Sequence, residues 1–490
     1  MLFYAATIFL SAFLLFQVQP LVAKFIFPWF GGSAAVWSAA LLFFQLLLLA
    51  GYLYARCIIR YLRPKQQFWI HGPLLIASLA TLPIVPSAIW KPSGGGDPTL
   101  RILLLLGATI GLPCALLAAT SPLLQAWYLR TRQGAIPYRL FALSNFGSML
   151  ALLSYPLVVE PRFALSRQAL FWSGGYGVFV MVCVFVAWRS VNGTEHPEPF
   201  KDVPPPPRPA DRALWIGFAA WASILLLAVS SHLTQNVAPI PLLWVAPLSL
   251  YLLSFILSFE SDRIYNRAIF LPLLAVSLYL LTKGDSWYRN NADVSKLIPA
   301  LCGALFVCCM VCHGELARRR PHPRYLTQFY LMVSIGGAVG GLFVALAAPC
   351  LFNSDIELPV GMVLCAALVT CALWNTHHPV SFSVLSKDTV KPEPPVLWDG
   401  RYWRQPPFRR LVRALPGRPA WMVATRAATA VLTIAFAAYL IRLQVRESRE
   451  YLLSARNFYG VLRVQNNAAS KYAPARGWTD DYSNIIQILQ

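Results

Sequence analysis

The chain has 490 residues, 57% of them hydrophobic and 12% charged, with a formal net charge of +21. Soluble domains carry about 25% charged residues, so there is too little polar surface here to wrap a water-soluble core. The 41 Lys/Arg against 20 Asp/Glu sit in short clusters between apolar runs. That pattern is a topology signal and argues against a nucleic-acid partner. The ten cysteines lie in or beside apolar segments and read as small buried hydrophobes, not as a disulfide framework.

A bilayer core needs about 20 apolar helical residues, and lipid offers backbone groups no other partners. In chain order the expected spans are 3–23, 34–59, 68–90, 101–128, 138–158, 168–188, 213–236, 240–259, 266–282, 296–316, 325–350 and 357–374, with a thirteenth at 421–441. The first of them has no basic leader or small-residue cleavage site and is expected to be retained. Residues 190–212, with Pro204 to Pro207, read as a stiff linker, and residues 375–420 as a second, basic one. The organisation expected is therefore a six-helix repeat over 1–189, a second over 213–374, a thirteenth helix, and a soluble tail over 442–490. The fold class is an all-α polytopic membrane protein in contact with the lipid bilayer.

Basic residues gather after even-numbered spans, as at Arg60, Arg63 and Lys65 or Arg318 to Arg320. The positive-inside rule then places the N-terminus and these loops in the cytoplasm, and the C-terminus outside. A shift of 190 brings Gln125 onto Glu315, Ser144 onto Ser334 and Gly147 onto Gly337 without a gap, and a shift of 207 brings Trp37 onto Trp244. Two copies in the same orientation make a parallel repeat, as in major facilitator transporters.

Several segments together closely resemble one family. They are Gly31-Gly32 through GYLYA at 51–55, Thr120 to Gln125, PLLWVAPLSLYLLSFILSF at 241–259 and CHGELARRRP at 312–321. The family is the bacterial membrane proteins in which a major-facilitator-like helical region is fused to a spermidine-synthase-like domain. ARNFYGVLRV at 455–464 resembles the segment where that domain begins, with strands expected at Asn457–Val464 and Ser483–Leu489. The resemblance implies a bacterial inner-membrane location and a module that anchors or serves an aminopropyl-transferring domain. It also implies a polyamine or other small amine as ligand, and a separate catalytic or membrane subunit as partner. Decarboxylated S-adenosylmethionine is implied only for a complete family member. A synthase-like domain needs a Gly-rich cofactor turn, a ribose-binding acid and a catalytic aspartate, and the residues after Val464 leave no room for them. No complete active site is expected in this chain, and no catalytic residue is assigned. The alternative is a major-facilitator-like transporter or a helical subunit of a larger complex.

Polar residues at membrane depth are the functional candidates. Gln125 and Glu315 are expected at equivalent inner ends of spans four and ten, either as a gate or substrate contact or as a salt-bridged helix end. Gln17, Gln19 and Lys24 on span one, and Ser231, His232, Thr234, Gln235 and Asn236 on span seven, are expected to meet at the outer mouth of a cleft. Interhelical hydrogen bonding is the plainer reading of that group. Gln45, Ser144 and Asn145 read as packing contacts. Cys309, Cys312 and His313 match the C-x-x-C-H pattern, and with Cys308 they form a weak metal candidate, but helix packing is the simpler role. Gly94 to Gly96 with Asp97 reads as a flexible turn. Gly336, Gly337, Gly340 and Gly341 carry two G-x-x-x-G patterns, which points to close helix packing.

Overall fold

The computed structural model describes residues 2–92, 97–131, 137–192, 205–236, 242–261, 263–289, 294–354, 356–374, 418–449, 451–457 and 460–465. In chain order the helices are α1 (Leu2–Phe30), α2 (Ala34–Tyr61), α3 (Pro64–Ser78), α4 (Thr99–Thr131), α5 (Pro137–Ser154) and α6 (Leu165–Asn192). The second set is α7 (Pro209–Asn236), α8 (Val245–Glu260), α9 (Arg267–Arg289), α10 (Val294–Arg318), α11 (Leu326–Leu342) and α12 (Glu357–Trp374). Then come α13 (Arg418–Ser448) and a hairpin of β1 (Tyr451–Asn457) and β2 (Gly460–Gln465).

Among the described residues, ten helices are long and apolar enough to cross a membrane, and α8 is a shorter apolar one. Span three differs from expectation. α3 ends at Ser78, and the chain continues through short 3-10 turns at Leu79–Thr81 and Ala88–Trp90. Pro83 and Pro86 interrupt that stretch, and each removes a backbone donor and disfavours helix in the residue before it. The Gly94 to Gly96 turn and the expected Ser483–Leu489 strand lie outside the described residues, as do most of both linkers.

The six-plus-six repeat is visible in how the helices pack. α1 packs on α4, α5 and α6, and α7 packs on α10, α11 and α12. α2 packs on α4 as α8 packs on α10. Between the halves, α2 lies against α11 and α5 against α8, which is the pair that exchanging the halves must produce. α5 and α11 also share a backbone irregularity. Each widens into a π-type turn, at Tyr155–Val159 and Phe343–Ala347, before a last short helical segment. Such turns are rare in α-helices, and here they recur at similar places in the two halves, within two residues of the shift of 190.

Small residues set the tightest contacts. A Cβ on Gly340 would lie 2.6 Å from the Ala220 carbonyl of α7, and one on Gly51 would lie 2.8 Å from the Ala115 carbonyl of α4. Gly336 abuts Ile216 and Ala219, while Gly341 leaves room for the Gln45 side chain of α2. The G-x-x-x-G patterns therefore pack inside the bundle.

Alternation of direction leaves Leu2 and the C-termini of α2, α4, α6, α8 and α10 at one end, called here the basic end. The opposite end is called the far end. Where one strand is expected at Asn457–Val464, the chain instead forms an antiparallel hairpin, with Asn457 opposite Gly460. The hairpin docks at the far end. Ser454 Oγ donates to the Asn353 carbonyl at 2.8 Å, and Arg456 donates to the Ser354 carbonyl at 3.0 Å and pairs with Glu357.

Candidate functional site: the seam between the halves

At the basic end, Gln125 is fully buried on α4. Its Nε2 donates to Ser121 Oγ at 2.9 Å, and its Oε1 accepts from the Tyr330 hydroxyl of α11 at 2.9 Å. The second bond crosses between the halves. The Tyr330 ring stacks on Phe141 of α5 with centroids 4.8 Å apart, and Phe141 meets Phe259 of α8 edge-on at 5.0 Å. An exposed ion pair, Arg139 with Glu260 at 3.2 Å, lies beyond them. Among the described residues, aromatic contacts and the buried Tyr330–Gln125 hydrogen bond close this end of the seam, each worth about 1 kcal/mol.

Glu315 occupies the equivalent place on α10 and does something else. Its carboxylate receives Arg267 Nε at 2.6 Å and Nη2 at 2.7 Å, the Tyr265 hydroxyl at 3.0 Å, and Arg319. Arg319 Nη2 donates on to the Ala372 carbonyl of α12 at 2.9 Å. All these partners belong to the second half. The carboxylate is 2% exposed, so the forked Arg267 contact is a charge-assisted pair in a largely dry place. It ties α9, α10 and α12 into one body. Of the two roles expected for Glu315, the ion-paired helix end is the one its contacts describe.

At the far end, Trp37 of α2 and Trp244, the residue before α8, stack across the halves with centroids 3.4 Å apart and planes 22° apart. Both are 4% exposed, and neither indole N–H has a partner. Ser38 of α2 meets Ser231 of α7 at 3.5 Å beside them, and the adjacent Ser230 hydroxyl is buried without a partner. Leu242, two residues before Trp244, has φ 64°. A side chain in that left-handed conformation costs on the order of 1 kcal/mol, and this strained step directs the chain into α8 with Trp244 at its head. Deeper in the seam Gln45 Nε2 donates to Ser223 Oγ at 2.6 Å, joining α2 to α7.

The remaining polar candidates divide. Lys24 pairs with Glu160 beyond α5, within the first half, and does not join the α7 group. Gln17 and Gln19 are buried on α1, and each side-chain carbonyl is unpartnered. Thr234 bonds back to the Ser230 carbonyl at 2.7 Å. His232 lies on α7 one residue past Ser231. The side chains of Gln235 and Asn236 lie outside the described residues. Ser144 accepts from Ser148 through its carbonyl at 3.1 Å, and Asn145 donates to the Phe141 carbonyl at 2.9 Å, so both serve local packing.

Cys308, Cys309, Cys312 and His313 are all buried on α10. Ser254 Oγ gives its single proton to the Tyr251 carbonyl at 2.7 Å, so the 2.7 Å contact with His313 Nδ1 has the imidazole donating. The ring stacks on Phe255 at 3.6 Å. Among the described residues, no group of three or more His, Cys, Asp or Glu side chains is placed to hold a metal ion.

Reasoning from sequence missed Tyr330, Phe141, Tyr265 and Arg267. An aromatic residue in an apolar span looks like any other core residue, so Tyr330 and Phe141 gave no signal. Arg267 was an ordinary loop charge until folding set it beside Glu315. Trp37 and Trp244 were identified as repeat partners and not as a contact.

No family model and no curated protein matches the chain. Solved structures do. A crystal structure of a major facilitator superfamily transporter, FucP, in the outward conformation covers 76% of this chain and 98% of its own, at 14% identity and a TM-score of 0.39. A variant of the E. coli fucose:proton symporter FucP covers 77% and 98%, at 14% identity and a TM-score of 0.40.

Proposed function

We propose that the chain is a transporter-like membrane module whose two halves rock about their seam, exposing it at one end and then the other. The observation that carries this reading is the pair of cross-half closures at opposite ends: Trp37 on Trp244 at the far end, and Tyr330 on Gln125 and Phe141 at the basic end. Each closure consists of a few contacts worth about 1 kcal/mol apiece. A closure of that strength leaves the open form only a few kcal/mol away, within reach of a population shift on binding. Under the positive-inside rule the basic end is cytoplasmic in this reading.

The test is to lock one end and observe the other. In a background with Cys57, Cys350 and Cys371 changed to Ser, the pair Ser38→Cys/Ser231→Cys is oxidised to bridge the far end. Tyr330→Cys, in the same protein, is then labelled with a water-soluble maleimide in membranes. The bridge is expected to raise labelling at position 330, and reduction to return it to the starting level. Labelling that is negligible in both states, or that ignores the bridge, would remove the rocking reading.

A second reading has its own observation. The hairpin formed by 451–457 and 460–465 is held on the bundle by Arg456 and Glu357, as an attachment point for a spermidine-synthase-like domain would be. The described residues contain no strand followed by a Gly-rich turn, so they do not fit decarboxylated S-adenosylmethionine, and no chemical step is derived through it. The hairpin also sits at the far end, away from the cytoplasm in the proposed orientation, which weighs against a cytosolic synthase. Tagging the N-terminus and identifying stoichiometric partners from native membranes tests this reading. A subunit with a nucleotide-binding turn and a catalytic aspartate supports it, and its absence removes it.

A further inference from the structure

Resting on the transporter reading, we infer that the Trp37–Trp244 end of the seam is a recognition site for an uncharged, acceptor-bearing polar solute, and not for a polyamine cation. Two indole N–H groups, each on a ring 4% exposed, lie on stacked rings with no partner, and the hydroxyl of Ser230, the residue before Ser231 on α7, is also unpartnered. Unpaired buried donors are costly, and a built site presents them to something that accepts. The groups that accept from an N–H are carbonyl, hydroxyl and ether oxygens.

Charge decides the class further. The helices that form this site carry no Asp, Glu, Lys or Arg over 34–55, 213–236 and 245–259. The only base on α1, Lys24, is already paired with Glu160. A di- or tri-cation entering here would be desolvated with no carboxylate to compensate, and would face N–H dipoles of its own sign. A carboxylate would meet suitable donors but no Lys or Arg on these stretches. A neutral solute bearing hydroxyl or carbonyl oxygens meets donors and hydroxyls without burying a charge. An indole face also suits the apolar side of a ring.

The full chain, purified and reconstituted in liposomes, is assayed by equilibrium binding of labelled probes: a hexose, a pentitol and a nucleoside as neutral solutes, spermidine and putrescine as cations, and glutamate as an anion. Retention of at least one neutral probe is expected, with the charged probes at background. Trp37→Phe and Trp244→Phe keep an aromatic ring but remove the N–H together with the pyrrole part of the indole, so each is expected to weaken that probe at least roughly tenfold, the effect of losing one neutral hydrogen bond. The far-end bridge experiment is run in parallel on the chain with both tryptophans intact, where the two ends are expected to be coupled. Retention of a charged probe, retention of no neutral probe, or neutral binding indifferent to both Phe variants overturns the inference. If the bridge experiment still shows the two ends coupled, only the solute class has failed. If the ends are uncoupled in the unaltered chain, the transporter reading has failed with it.

Discussion

Glu315→Gln is the sharpest test of what holds the second half together. The native carboxylate is 2% exposed, and it balances Arg267 and Arg319, whose side chains are 24% and 14% exposed. The amide keeps the shape and loses the charge, leaving two guanidinium groups facing each other at the end of α10. Removing one partner of a buried ion pair costs about 3–5 kcal/mol. Partial solvation of both arginines puts the expected cost at the lower edge, about 3 kcal/mol. At roughly 2 °C per kcal/mol for a large chain, the apparent Tm should fall by about 6 °C. The assay is thermal unfolding in mild detergent, read by the loss of the monodisperse peak. Glu315→Gln combined with Arg267→Met removes one of the stranded charges and should recover about half of the loss, because the penalty lies in the unpaired cation rather than in a missing contact. A shift below about 2 °C for the single variant, or a double variant less stable than the single, would refute the reasoning.

Three further outcomes follow from the contacts. Tyr330→Phe deletes the cross-half bond and strands the buried Gln125 carbonyl; it should cost about 1–2 kcal/mol and raise maleimide labelling of a cysteine at position 139. Gly340→Ala should destabilise by about 1–3 kcal/mol through overpacking, since its Cβ would fall 2.6 Å from the Ala220 carbonyl. Gly337→Ala, with open space at its Cβ, should be neutral or better by up to about 1 kcal/mol, and both are read by the same unfolding assay. Arg456→Ala should release the hairpin, with faster hydrogen exchange over 451–465 and unchanged exchange in α7 and α11; unaltered exchange in the hairpin would show that it is held by other contacts.

Much of the architecture was legible because lipid imposes a strict rule on the chain. Apolar runs of span length must be helices, and the shift that aligns Gln125 with Glu315 and Gly147 with Gly337 also relates the helix–helix contacts of the two halves. The break in span three was less legible, since α3 stops at Ser78 although apolar residues continue to Trp90. Hydropathy counts side chains, whereas the helix ends near prolines. The partners at the seam were hidden for a different reason. Periodicity marks which face of a helix is apolar, but in an all-apolar span every face qualifies. Nothing in the sequence therefore distinguishes Phe141 or Tyr330 from a lipid-facing ring. The polar residues could be listed from sequence but not paired: Lys24 turns to Glu160 rather than to α7, and Glu315 turns to Arg267 rather than across the seam.

That last difference bears on how the molecule can move. Gln125 and Glu315 occupy equivalent positions under the shift of 190, yet one bonds across the seam and the other within its half. The buried or half-buried ion pairs follow the same division. Lys24 with Glu160 fastens α1 to the end of α5 inside the first half, and Glu315 with Arg267 and Arg319 fastens α9, α10 and α12 inside the second. Between the halves the buried contacts are neutral: indole on indole, tyrosine on phenylalanine, amide on hydroxyl. Among the described residues, the ion pair that crosses, Arg139 with Glu260, has side chains 64% and 45% exposed, and at such exposure a pair contributes about 0–1 kcal/mol. Strong, direction-fixing interactions thus stiffen each half, while weak ones of similar size close the seam at both ends. On the rocking reading proposed above, a body built this way is expected to yield first at the seam.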